Sequence, residues 1–205
     1  MSRRHVIPKR NPPCLDAELM PLSTEQLSSI ARKYWRSDRA YDGSPEHRKL
    51  TDLWDQELKK LGQWWALLDE LKEELPGFTI GNATATPDAC FRCAAYSPVD
   101  DESSAHRFIV VGCVSILAPV YTVYGVQYVL VGNKRHQRRV FFAPLPVEMR
   151  HAADVISRKL EAAFGVYALP RDMADIRVPL YVEPVEPPDT TLFHALFTSE
   201  PESLP

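Results

Sequence analysis

Residues 107–131 read RFIVVGCVSILAPVYTVYGVQYVLV, and how this run is understood decides the fold. A membrane-spanning helix needs roughly 18 or more consecutive apolar residues. Pro119 and Gly125 interrupt the stretch before that length is reached. Its β-branched and Tyr-rich make-up suits a pleated, half-buried surface instead. The run therefore predicts two strands, 107–117 and 120–131, turning back on each other around Pro119.

Working outward, further strands are expected at 78–84, 91–96 and 139–142. Gly132-Asn133 is a turn pair between two apolar runs and predicts a hairpin. The stretch 100–104, DDESS, reads as a solvated turn. A last strand is expected at 176–182.

Helices flank the strands. Ser23 followed by Gln26 spells a capping box, in which each side chain satisfies an otherwise unpaired backbone N–H. Leu27, Ile30, Ala31 and Tyr34 then recur at helical spacing. Ser44 caps a second helix and Pro45 suits its first position. Leu50, Trp54, Leu58, Leu61, Trp65, Leu68, Leu71 and Leu75 form one stripe, so 45–75 is expected as a long helix with a possible bend at Gly62. Trp54, Leu58, Leu61, Trp65 and Leu68 are expected to face the sheet. A third helix spans 146–164, with Met149, Ala152, Ala153, Ile156, Leu160 and Ala163 on one face and Gly165 closing it.

Two helices, a meander of strands and another helix predict an α+β fold, with helices covering one face of a mostly antiparallel sheet. The 205 residues fit a single domain, given about 100–200 residues per domain. The expected division is an extended arm over 1–22, the α+β domain over 23–183, and a Pro-rich acidic tail over 184–205. Within the tail, the apolar segment 192–197 is expected to bury itself against the domain.

A net charge of −3 is too small to imply a nucleic-acid or membrane partner. Met1 to Arg10 is basic, but no 7–15-residue apolar run follows, so no secretory leader is expected. Cys14, Cys90, Cys93 and Cys113 are too sparse for a disulfide framework, and a reduced, cytoplasmic setting is expected.

The chemistry-bearing motifs are few. Cys90-Phe91-Arg92-Cys93 spells CxxC, which reads as half a zinc site, a redox pair or two buried small residues. No second CxxC accompanies it and its flanks look extended, which favours the last reading. The basic run 134–139, KRHQRR, reads as a charged hairpin tip, or as a grip for phosphate. An acid/base pair of His106 with Asp88, Asp100, Asp101 or Glu102 is one way the chain would act as an enzyme. The chain contains no GxSxG, GxGxxG, GxxxxGK[ST] or HExxH. No catalytic residue, cofactor or metal is assigned, and a binding protein is the favoured class. An enzyme without short motifs and a scaffold subunit are the alternatives.

The segment 191–198, TLFHALFT, resembles the endings of small bacterial immunity proteins, the partners of secreted polymorphic toxins. The helix–meander–helix order is similar too. The resemblance covers a short part of the chain and transfers no binding residue. It implies a protein that binds one toxin domain and blocks its active site by stoichiometric occupation. Toxins acting on nucleic acids have basic clefts, because phosphates reward Lys and Arg. Carboxylates would then meet the toxin: Asp100, Asp101 and Glu102 in the inter-strand loop, and Glu183, Glu186 and Asp189 near the C-terminus.

Overall fold

Strands form where β-branched residues alternate, and they meander. A computed structural model describes residues 21–98, 106–131 and 134–205. β1 (Thr79–Asn82), β2 (Cys90–Tyr96), β3 (His106–Ser115), β4 (Val120–Val131) and β5 (Lys134–Phe141) lie side by side in chain order. All four neighbouring pairs are antiparallel. The expected hairpin holds, with Val131 opposite Lys134; Gly132-Asn133 and the 100–104 stretch lie outside the described residues. A sixth strand, β6 (Tyr167–Ala168), pairs parallel with Val120 and Tyr121. It fills the part of the β4 edge beyond Gly125, where β5 stops pairing.

The caps read from sequence are present. Ser23 Oγ accepts from the Gln26 N–H and Gln26 Oε1 accepts from the Ser23 N–H, opening α1 (Thr24–Ala31). Ser44 Oγ accepts from the His47 N–H and Pro45 opens α2 (Pro45–Glu57). α4 (Val147–Phe164) ends at Gly165, whose φ of 61° is the left-handed conformation that glycine adopts without strain. Two short helices complete the chain, α5 (Arg171–Ala174) and α6 (Leu192–Leu196).

The long helix differs from the expectation. Residues Leu58–Lys60 form a 3₁₀ turn, and α3 (Leu61–Glu74) starts after it. An α-helix turns about 100° per residue, a 3₁₀ helix about 120°. Three tightened residues advance the chain by about 60°. Without them, Trp65 would lie about 20° from the line of Trp54; with them it lies about 80° away, and Trp64 comes to about 20°. The burial follows: Trp64 is 1% exposed and Trp65 48%, with Leu58 also exposed. Trp65 and Leu58 therefore do not face the sheet, whereas Trp54 and Leu68 are buried as expected.

The sheet is covered on both sides. On one face, Trp64 stacks on Phe91 at 5.2 Å, and α4 lies so close that a Cβ on Gly112 would meet Ile156 Cγ2 at 2.5 Å. The opposite face receives the C-terminal segment. Phe193 packs edge-on against Tyr124, while the Tyr124 and Tyr96 hydroxyls donate to the Pro201 and Pro205 carbonyls. Leu192, Phe193, Ala195, Leu196 and Phe197 are all buried, so the TLFHALFT stretch is a core element. α1 joins this layer, and the Trp35 indole N–H donates to the Ala195 carbonyl at 2.7 Å.

Residues 176–182 do not make the expected strand. Only single bridges form, Arg177 with Thr191 and Val182 with Val185. Pro179 lacks the N–H that a ladder needs. The two-residue alternation is still real, since Val178, Leu180 and Val182 all point into the core.

Candidate partner-binding site

α2 carries Leu50 and Trp54 four residues apart, with Thr51 and Asp55 beside them on the same flank, and Leu58 follows one turn on at the start of the 3₁₀ turn. This flank is one wall of a cavity of about 440 Å³. The loop after α1 supplies a second wall through Trp35 and Tyr41, whose rings stack 5.1 Å apart. His47 tilts against Tyr41 at 5.0 Å, and its Nδ1 accepts from the Gly43 N–H, leaving Nε2 to carry the ring proton of the neutral form. The far side is Thr86, Pro87 and Glu183. The floor is buried and aromatic, while Asp42, Asp55 and Glu183 stand exposed around the mouth.

Among the described residues, two buried polar atoms in this region have no hydrogen-bond partner, the Tyr41 hydroxyl and Glu46 Oε2. The Arg36 guanidinium stands 4.0 Å from Glu46 Oε2. Burial, and then the Asp42 and Glu46 carboxylates, push the Tyr41 hydroxyl well up, so it keeps its proton.

Of the carboxylates read from sequence, Glu183 lies at this mouth. Glu186 pairs with Arg39, and Asp189 stands 4.0 Å from Arg177. Both pairs are exposed and hold little energy, so a partner's cation can displace them. Asp100, Asp101 and Glu102 lie outside the described residues. Asp42 and Asp55 were not singled out in sequence, because nothing local ties them to Glu183.

The other motifs are not assembled into chemistry. Cys90 and Cys93 stand an odd number of positions apart on β2, so their side chains leave opposite faces of the sheet and cannot share a ligand. Both are buried, and desolvation pushes Cys93 up to about 12 and Cys90 up as well, which keeps them as thiols. Among the described residues, no three His, Cys, Asp or Glu side chains are grouped to hold a metal. His106 opens β3, but its side chain lies outside the described part.

Arg92 is the one deeply buried cation among the described residues besides Arg107. Its Nε donates to the Ala83 carbonyl, and its terminal nitrogens approach Asp88 at 3.6 Å and Thr198 and the Glu200 carbonyl at 3.4 Å. Burial raises the Asp88 carboxyl despite the Arg92 charge that lowers it. This cluster clasps the C-terminal segment to the β1–β2 hairpin.

No helix among the described residues is long and apolar enough to cross a membrane. No known protein family, curated protein or solved structure matches the chain.

Proposed function

We propose that this is an immunity-type protein that neutralises a cognate bacterial toxin in the cytoplasm by stoichiometric binding. The observation that carries the reading is the aromatic cavity ringed by Asp42, Asp55 and Glu183. Trp and Tyr are enriched where protein interfaces hold their binding energy, because rigid rings bury large area at little entropic cost. A ring of carboxylates complements a basic cleft of the kind that a phosphate-binding toxin carries. Glu183 joins this site to the acidic C-terminal stretch, and Glu186 and Asp189 extend the acidic surface. The TLFHALFT resemblance points to the same class.

The test is co-expression with the cognate toxin domain. Wild type protects the cell. Asp42→Lys/Asp55→Lys/Glu183→Lys loses protection, since close interfacial charge pairs couple by about 1.5–7 kcal/mol. Protection by the variant equal to wild type would remove this face from the mechanism.

A further inference from the structure

The walls of the cavity define the chemistry of what enters it. Trp35, Tyr41 and Trp54 line the cavity with aromatic rings, whose quadrupoles attract cations. Asp42, Asp55 and Glu183 add negative charge at the mouth, and among the described residues no Lys or Arg lines the cavity. Tyr41 is 8% exposed, and its hydroxyl has no hydrogen-bond partner among the described residues. A buried orphan hydroxyl calls for a polar partner. Carboxylates and ring faces together repel phosphate and reward a cation.

Among biological cations, a guanidinium fits best. It is planar, weakly hydrated, stacks on ring faces and bonds carboxylates through a fixed fork of donors. A lysine ammonium is strongly hydrated and loses more on entering apolar walls. The cavity's 440 Å³ leaves room for a whole side chain and the backbone that carries it.

We propose that this cavity receives an arginine side chain projecting from the partner protein, stacked among Trp35, Tyr41 and Trp54 and paired at its mouth with Asp42, Asp55 and Glu183. The proposal rests on the partner-binding reading of the same site and names the group that the site recognises.

The probe is N-acetyl-arginine amide, with N-acetyl-citrulline amide as its neutral isostere, titrated into the full chain. The indole N–H groups of Trp35 and Trp54 donate to the Ala195 and Asp88 carbonyls, so both give ordered proton–nitrogen signals. Trp64 donates to Asn82 Oδ1 outside the cavity and is the internal control. The arginine probe shifts Trp35 and Trp54 saturably, and citrulline binds at least about tenfold more weakly. Asp42→Asn/Asp55→Asn/Glu183→Gln weakens the arginine probe by a similar factor. Tyr41→Phe, which keeps the ring, also weakens it. Equal response to the two probes, or no saturable shift at Trp35 and Trp54, overturns the proposal. Toxin protection by wild type without any probe response overturns this inference and leaves the immunity reading standing. Probe binding without toxin protection supports the cavity's specificity and rejects the toxin as its partner.

Discussion

Replacing the adjacent tryptophans of α3 one at a time tests whether the 3₁₀ turn sets the face of the helix. Trp64 is 1% exposed, stacks on Phe91 and packs near Phe164 at 6.1 Å. A buried Trp removes about 150–250 Å² from water, roughly 4–6 kcal/mol at ~25 cal/mol per Å² as an upper bound. Truncations of this kind cost about 3–5 kcal/mol. The lost indole hydrogen bond adds little, because Asn82 Oδ1 keeps the Thr84 N–H as donor. Trp65 is 48% exposed, and Trp65→Ala should cost less than about 1.5 kcal/mol. The assay is equilibrium urea unfolding read by far-ultraviolet circular dichroism, with the slope m unchanged in both variants. Trp64→Ala should also lower Tm by roughly 6–20 °C. A Trp65→Ala loss equal to or larger than that of Trp64→Ala would refute the phase shift.

Three further outcomes follow from particular contacts. Gly112→Ala forces a Cβ to 2.5 Å from Ile156 Cγ2 and should cost about 1–3 kcal/mol, whereas Gly62→Ala, with open space around it in α3, should gain about 0.5–1 kcal/mol; urea unfolding of both reads the sign, and destabilisation at Gly62 would contradict it. Arg92→Met leaves the half-buried Asp88 without its cation and should cost about 1–3 kcal/mol in the same assay, and a change within about 0.5 kcal/mol would show that the clasp is dispensable. Burial, and then Arg171, lower His194 from its ordinary 6.5, and its Nδ1 accepts the Thr191 N–H that opens α6. The folded state thus resists protonation: the His194 contribution is present above pH 6.5 and is lost as pH falls through the lowered value. His194→Gln keeps an acceptor, so the fall in Tm from pH 7.5 to about 5 should be smaller in it than in wild type; equal falls would exclude His194.

Local signals were legible and long-range ones were not. β4 spans the predicted 120–131, because β-branched residues between Pro119 and Gly132 leave no competing period. The caps at Ser23 and Ser44 depend on residues three positions away, so the sequence displays them directly. The 3₁₀ turn was hidden because Trp64 and Trp65 are adjacent, and either phase gives an unbroken apolar stripe. Residues 176–182 alternate as a strand does, yet Pro179 denies them a ladder. β6 has two residues and is defined only by its parallel partner. The cavity was half visible. The helical spacing of Leu50, Trp54 and Leu58 marks them as core positions, and Glu183 belongs to the C-terminal carboxylates expected to meet a partner. Asp42 and Asp55 join Glu183 only when the loop after α1 folds across α2.

The most direct measurement is a titration of the purified toxin domain with this protein, read by toxin activity. The account predicts a linear fall to full inhibition with a break at one equivalent, about −8 kcal/mol or better for a micromolar or tighter complex. The folded Asp42→Lys/Asp55→Lys/Glu183→Lys variant should need orders of magnitude more protein. Complete neutralisation far below one equivalent, or equal potency of the variant, would contradict stoichiometric binding through the acid-rimmed cavity.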